Sequence, residues 1–369
     1  MKITSISARK ILDSMARPTI EVEVNGCRAS VPTGTSRSEY EAPQITIDLM
    51  LKRFNKLKKI AKSREFSGLN DIFLMEKDVD ISYFGGNTLL ALSLAILKAL
   101  SSHNNKEVYE FLGKKSKPRP ILKVIEGGKH ADGPYIQEML VIPRKFDLWE
   151  ASEFFHAFSE VLEKKDRNFM HSRGMEGGWA TSLADMEVLD MLRQEIDNGG
   201  YKLDIGLDIA ATTFYSKRYM GYDFLGRIFS KGEMIDFVRQ IIKENKIFYV
   251  EDPLEENDYD GFEEISRKTK ALICGDDIFS TNIKRLRKVA RAGIVKPNQV
   301  GSLFGMFDFL DGLKKMKMLP VFSHRSRETE DIILAHLAVG LGAPFIKIGL
   351  TSGERTAKLN ELMRILKCK

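Results

Sequence analysis

The chain has 369 residues, 43% hydrophobic and 29% charged, so it can bury a sizeable core and falls outside the disordered class. Its 57 basic and 51 acidic side chains leave a net charge of +6, an excess that suits an anionic small molecule and is too small to argue for nucleic acid. Three scattered cysteines, Cys27, Cys274 and Cys368, make neither a zinc pattern nor a disulfide framework, and the start MKITSISARK has no apolar signal core, which together predict a reducing, cytoplasmic setting and no membrane partner.

The first elements read as a β-meander. Apolar and polar residues alternate from Thr19 to Val24, which predicts a strand with one wet face. Asn25-Gly26 is a tight-turn dipeptide, and Cys27 to Val31 would return antiparallel. Ile47, Met50, Phe54, Leu57 and Ile60 recur at helical spacing, with Lys52, Lys56, Lys58 and Lys59 off that face. The run from Asn87 to Leu100 is apolar nearly all round, predicting a buried helix; Lys98 interrupts it, and it is too short to span a bilayer. The basic, proline-containing stretch GKKSKPRP, Gly113 to Pro120, marks a domain boundary, giving an N-terminal unit of residues 1–118 and a second of 119–369.

Beyond that boundary the texture changes. Short apolar runs end in polar residues: Tyr135 to Glu138, Ile205 to Asp208, Ile247 to Glu251, Ala271 to Asp276, Ile294 to Lys296, Val321 to His324 and Phe345 to Lys347. Such runs suit strands of a parallel sheet buried on both faces. Helix-like stretches, among them Lys231 to Lys243 and Ser302 to Lys315, separate them. From Asp208 onward the terminal polar residues are 43, 25, 20, 28 and 23 residues apart, the length of one βα unit each with an insertion in the first. The expected fold is α/β: a closed TIM-type (β/α) barrel behind a smaller α+β domain built from the meander and its helices.

Barrels of this kind place active residues at the strand tips, so Glu138, Asp208, Glu251, Asp276, Lys296, His324 and Lys347 would share one rim. A lone acid at a strand end is ordinarily a helix cap or a solvated loop charge; a full ring of charged tips calls for compensation among them, and a metal supplies it. Asp208, Glu251 and Asp276, from three successive strands, offer the hard oxygen ligands that Mg²⁺ takes. A lysine beside a cation-bearing site, Lys296 or Lys347, is pushed toward its neutral form and can then take a proton from carbon, with the metal stabilising the dianion formed. Glycine-flanked loops at Gly127 to His130 and Gly174 to Gly178, and the turn Pro32 to Ser36, look like segments closing on that rim. Arg325 and Ser326 offer a fork of donors and a hydroxyl suited to phosphate. The other histidines, His103, His156, His171 and His336, read as surface or packing residues.

With these residues in view, the chain resembles the enolase family along nearly its whole length, from Ala8–Ser14 to Ala357–Ile365. The most specific segments are Val250-Glu251-Asp252-Pro253, Gly275-Asp276-Asp277, Lys296 to Gly301, and Ser323 to Ser326 with Glu328 to Asp331. The resemblance implies a barrel with an irregular first half and Mg²⁺-dependent dehydration of 2-phosphoglycerate to phosphoenolpyruvate. It further implies that Asp208, Glu251 and Asp276 hold a tight Mg²⁺, and that Ser36 binds a second ion along with substrate. Lys296 would be the base, Glu176 the acid on the departing hydroxyl, and Glu138 its assistant. Lys347 would meet the substrate carboxylate, Arg325 and Ser326 the phosphate, and His130 and His324 would line the closed site.

The sequence departs from the family at several points. Met15-Ala16-Arg17 stand in the first turn, Arg37-Ser38 in the first loop, Glu126 before Gly127-Gly128, Met175 before Glu176, and Arg327 after Ser326. Arg37 and Arg327 add positive charge near the phosphate end, and Met175 removes a polar neighbour of Glu176, which implies altered acidity there. The changed first turn, with the chain ending at Lys369, implies that a homodimer would have altered interface elements. Two other readings follow from the same residues: a related lyase acting on another hydroxy-carboxylate, and an idle scaffold using the basic runs Lys52 to Arg64 and Gly113 to Arg119 for RNA.

Overall fold

The computed structural model describes residues 1–35, 38–113 and 115–368. β1 (Ile6–Leu12), β2 (Pro18–Val24) and β3 (Cys27–Ser30) form the antiparallel meander, with β2 central. Asn25 and Gly26 both take positive φ, 49° and 84°, as a two-residue hairpin turn matched to strand twist requires. The face of β2 expected to be wet carries Glu21 and Glu23: Glu21 is buried under Arg9 of β1, which it meets at 2.5 Å, and Glu23 is half-buried beside Arg28 of β3.

α1 (Ile47–Lys62) buries Met50, Phe54 and Leu57 as its spacing predicts, with Ala61 completing the stripe. α2 (Leu69–Lys77) and the single turn α3 (Ile81–Phe84) lead into α4 (Gly86–His103). α4 packs across β2 and β3 and is buried nearly all round. Its Lys98 is the exception, reaching out to Asp331 at 2.7 Å and to the Arg28 carbonyl at 2.7 Å. α5 (Val108–Leu112) closes this part of the chain.

The barrel strands are β4 (Arg119–Glu126), β5 (Glu138–Pro143), β7 (Leu203–Asp208), β11 (Tyr249–Glu251), β12 (Leu272–Gly275), β13 (Ala292–Val295), β14 (Leu319–Ser323) and β15 (Phe345–Gly349), closed by pairing of β15 with β4. A short β6 (Trp179–Ala180) adds to β4. Between β7 and α8 (Lys231–Glu244) lies a small antiparallel excursion of β8 (Tyr215–Ser216), β9 (Gly221–Phe224) and β10 (Arg227–Phe229), the insertion that the 43-residue spacing required. Around the barrel run α6 (Leu148–Lys165), α7 (Asp185–Gly199), α8, α9 (Tyr259–Lys268), the turn α10 (Pro297–Val300), α11 (Leu303–Lys315), α12 (Ile333–Gly340) and α13 (Gly353–Leu366). No helix among the described residues is long and apolar enough to cross a membrane.

Two expectations are corrected. Tyr135 to Glu138 is not a strand; Glu138 instead begins β5, which runs antiparallel to β4 and β7. Its first residue therefore reaches the same rim as the last residues of its neighbours, so an all-parallel sheet was not needed to put Glu138 there. The strand β4 also escaped the sequence reading, since Arg119 and Pro120, assigned to the basic boundary stretch, already belong to it.

The N-terminal elements grip the barrel by apolar packing, with Phe73 on Phe304 and Phe307, and by polar contacts. Glu76 of α2, buried, accepts the backbone N–H groups of Leu303 at 2.8 Å and Phe304 at 2.7 Å, capping the first turn of α11. Gly86 opens α4 against Gly301: a Cβ on Gly86 would sit 3.2 Å from the Gly301 Cα and 2.9 Å from the Ala42 Cβ, so only glycine lets the two segments meet.

Burial pushes the Glu76 carboxyl up from 4.5 to about 7. A carboxyl that binds its proton more tightly when folded contributes stability below its unfolded pKa and loses it as pH rises through the folded value. Glu76→Gln is expected to flatten the stability profile between these values. Relative to the variant, the wild type should lose on the order of 3 kcal/mol as pH climbs from about 4 to about 8, read by urea unfolding at each pH. Parallel curves for the two proteins would show that Glu76 does not titrate with folding.

Candidate active site

Side-chain parity builds the site. On the barrel axis Ile121, Leu140, Ile142, Tyr249, Leu272, Cys274, Ala292, Ile294, Val321 and Phe345 form a dry inner core. Two residues further along the same inward faces come charged groups: Lys123 after Ile121, Glu138 before Leu140, Asp208 opposite Glu138, Glu251 after Tyr249, Asp276 after Cys274, Lys296 after Ile294 and Lys347 after Phe345. On β4 the pairing with β5 shifts register between Lys123 and Ile125. This irregularity changes the alternation, so that Ile125 joins the outer core while Lys123 and Glu126 both turn inward, each buried.

Charges at this depth survive only in pairs. Lys347 Nζ lies 2.7 Å from Asp208, 2.8 Å from Glu251 and 2.9 Å from Glu138. Burial opposes its charge, yet these three carboxylates outweigh it and hold its pKa well above the usual lysine range. Glu251 also accepts the Tyr249 hydroxyl at 2.5 Å through Oε2, while its Oε1 is buried without a hydrogen-bond partner.

Asp276 contacts Lys296 and accepts from Gln299 Nε2 at 3.2 Å. Burial again disfavours charge on Lys296, and Asp276 overrides it, raising the lysine pKa; the expected push of Lys296 and Lys347 toward the neutral form is corrected, since carboxylate partners hold the charge on both. Among the described residues, the carboxylate oxygens that crowd within 4.8 Å of one another are those of Asp252, Asp276 and Asp277. The three acids read from sequence as one ligand set thus divide here: Asp208 and Glu251 gather on Lys347, and Asp276 lies with Asp252 and Asp277. Asp252 accepts the backbone N–H groups of Asp276 and Asp277 at 2.9 and 2.8 Å, which fixes the turn after β12.

Glu176 lies in the loop Gly174 to Gly178 and is buried in the same mouth. Its backbone N–H and that of Gly178 donate to Glu126, at 3.0 and 2.7 Å. A Cβ on Gly174 would run into the Glu126 carboxylate, which explains the glycine there. The Glu176 side chain contacts Lys123 and lies 2.9 Å from His324 Nε2 and 3.7 Å from His130 Nε2. Burial and the nearby Lys123 charge keep both histidines neutral, His130 pushed down to about 3 and His324 well below its ordinary value. The oxygen and nitrogen atoms of His130, Glu138 and Glu176 also crowd together, but Lys123 already supplies a cation to both glutamates.

At the phosphate end, buried Arg325 is held by Glu41 at 3.0 Å and Asn298 at 3.0 Å. The Ser326 hydroxyl accepts the Thr35 N–H at 2.9 Å. Ser36 and Arg37 lie outside the described residues. Arg327 donates to buried Asp13 at 2.7 Å, so its charge is taken up by the first turn. The extra positive charge read for Arg327 at the phosphate end is corrected accordingly.

Lys123, Glu126, Glu41, Asp252 and Asp277 are the site residues that sequence reasoning missed. The signal for Lys123 was a lone lysine inside the apolar run Pro120 to Ile125. For Glu41 and Asp277 no periodicity or spacing marks the contact, since each is carried by a loop.

Comparison with known proteins agrees with this geometry. The family profile described as "Enolase, N-terminal domain" matches residues 3–112, and "Enolase, C-terminal TIM barrel domain" matches residues 114–367. The enolase of Methanothermobacter thermautotrophicus is 38% identical over 398 aligned positions, covering 98% of this chain and 96% of the relative. That of Haloquadratum walsbyi is 36% identical, covering 99% and 98%, and that of Sulfolobus acidocaldarius 33%, covering 99% and 95%.

Replacing the shared ammonium leaves three buried carboxylates facing each other. Lys347→Met is expected to lower the unfolding free energy by about 3–5 kcal/mol at neutral pH, measured by urea titration. A change below about 1 kcal/mol would mean that the carboxylates find other partners at little cost.

Proposed function

The chain belongs to the enolase family and is a carbon–oxygen lyase, a phosphopyruvate hydratase; from that premise we propose how its residues divide the dehydration of 2-phosphoglycerate to phosphoenolpyruvate. Lys296, as the free amine, takes the proton from the carbon that bears the phosphate; its pairing with Asp276 favours the ammonium, and a cation held by Asp276 would favour the amine. Glu176 gives a proton to the hydroxyl on the next carbon, which leaves as water, and Glu138 assists it. The observation that carries this reading is the lining of one cavity by a partly buried lysine, Lys296, and by a buried carboxyl, Glu176, with two neutral histidines beside the latter. A dehydration needs both a base and an acid at one substrate, and neutral histidines donate or accept hydrogen bonds there without competing for the proton.

Arg325 and Ser326 suit the phosphate, being a pre-held guanidinium beside a hydroxyl. Lys347 meets the substrate carboxylate, and His130 and His324 line the closed site. Asp208, Glu251 and Asp276 are assigned to Mg²⁺: they offer hard oxygens at the tips of three successive strands, and the unpartnered Glu251 Oε1 is the kind of buried atom a cation satisfies, while Asp208 and Glu251 now gather on Lys347 and Asp276 on Lys296. Ser36 is assigned to a second ion that binds with substrate. Bound there, Mg²⁺ supplies charge stabilisation for the dianion that proton removal creates.

The same reading divides the chain into residues 1–118 and 119–369. It is supported by family matches that end at 112 and resume at 114, and by the start of β4 at Arg119. A cytoplasmic setting belongs to the proposal as well, in keeping with Cys27, Cys274 and Cys368 as free thiols.

The test is the ultraviolet absorbance of the enol-phosphate product as it forms from 2-phosphoglycerate, with Mg²⁺ and with a chelator. Turnover is expected only with the metal. Lys296→Ala should lower kcat about 10³-fold while the fold, followed by circular dichroism, stays intact. Wild-type-like turnover in that variant would remove Lys296 from the role of base. Asp208→Asn should raise the Mg²⁺ concentration needed for half-maximal rate at least about tenfold; an unchanged requirement would take Asp208 out of the ligand set.

A further inference from the structure

Lys123 is a buried cation that neither the proton abstraction nor the binding roles above employ. It is 1% exposed and stands on β4, in the run Ile121 to Ile125 that is otherwise apolar apart from itself. Its Nζ has three neighbours: Glu138 Oε1 at 2.7 Å, Glu176 in direct contact, and His324 Nε2 at 3.2 Å. An ammonium has donors and no acceptor, so the two carboxylates are the partners that hold this lysine in place. It is also held away from the pair formed by Lys296 and Asp276, whose partners are a separate set.

We propose that Lys123 is a positioning residue for the acid half of the reaction, fixing the Glu176 carboxyl and offsetting the negative charge that grows on it as it releases its proton. The inference rests on the assignment of Glu176 as the acid. In the step concerned, the C–O bond breaks and its electron pair leaves with oxygen. The Glu176 O–H proton joins that oxygen to make water, and Glu176 becomes a carboxylate. Lys296 has gained the carbon-bound proton, so charge and atoms balance over the site, and Lys123 keeps all three protons throughout. A cation already in place beside the new carboxylate lowers the energy of that state without reorganisation. A lysine in this position therefore favours departure of the hydroxyl and has no direct bearing on removal of the carbon proton.

The fold separates this role from simple support. The backbone of the Glu176 loop is held by Glu126, which accepts the Glu176 and Gly178 N–H groups, and by Thr351, whose hydroxyl donates to the Gly177 carbonyl at 2.6 Å. Loss of the Lys123 charge leaves both of these anchors in place.

The experiment compares the two halves of the reaction in the full-length protein with Mg²⁺ and 2-phosphoglycerate. Exchange of the hydrogen on the phosphate-bearing carbon for solvent deuterium is followed by NMR, and dehydration by ultraviolet absorbance. Lys123→Gln is expected to lower kcat for dehydration at least about 30-fold with KM within about threefold, while exchange stays within about threefold of wild type. Lys123→Arg, which keeps the charge, should recover at least about tenfold of the loss. Should Lys123→Gln fail to fold, the charge-balanced double variant with Glu138→Gln is compared with Glu138→Gln alone, and the same loss confined to dehydration is expected. The proposal is overturned if dehydration is unaffected, if exchange and dehydration fall together, or if arginine restores nothing. Absence of turnover in the wild type would instead sink the assignment of the reaction itself.

Discussion

The mouth of this barrel depends on charge balance in a space without water. Lys347 alone is shared by Glu138, Asp208 and Glu251, all within 2.9 Å and all buried. Charge at that depth depends on such partners, and even beside Lys347 burial and the neighbouring Glu251 push the Asp208 carboxyl well above its ordinary pKa. Lys123 serves Glu138 and Glu176 in the same way, and Lys296 serves Asp276. The result is a ring of alternating sign in which each cation is also a fixed dipole source for chemistry. Such a ring is a poor device for stability, since hydrophobic residues of equal volume would do as well. It is a good device for holding oxygens of one sign close together until a cationic or anionic ligand arrives.

What brings the ring together is strand parity. Each inward position one layer below the ring is apolar, from Ile121 through Phe345, and each next inward position is polar. Two irregularities make the first half fit this rule. The antiparallel course of β5 sends its first residue, not its last, to the rim. The shifted register on β4 then turns two charged residues, Lys123 and Glu126, inward within four positions. A regular strand would have pointed one of them into the packed layer between barrel and helices, where no partner waits.

These two irregularities also explain what could be read from the sequence. The later strands were legible because short apolar runs ending in charge repeat at βα spacing, and Asp208, Glu251, Lys296 and Lys347 all occupy the inward faces those runs imply. α1, α4, α8 and α11 were legible from apolar spacing, and Asn25-Gly26 from turn chemistry. β4 was hidden by the basic stretch running into it, and the direction of β5 by the lack of any local signal for antiparallel pairing. Side-chain partners were less legible than positions. That Asp276 lies with Asp252 and Asp277, and that Arg327 is neutralised by Asp13, are long-range facts set by loops, and loop residues carry no period.

The smaller domain takes part in the same electrostatic design. Beside apolar packing such as Phe73 on Phe304 and Phe307, its polar contacts with the barrel land on segments that carry site residues. Glu41 holds Arg325, Asp13 holds Arg327, Asp331 draws Lys98 down from α4, and Glu76 caps the helix that follows the Lys296 loop. The close meeting of Gly86 and Gly301 sits directly after that loop as well. A barrel rim made only of its own loops would be free to relax its charges apart, because loops are the softest part of the fold. Tying two of those loops, the one after β14 and the one after β13, to a second packed body removes much of that freedom. The site is thereby preorganised by contacts between residues far apart in sequence, as the 284-residue separation of Glu41 and Arg325 shows.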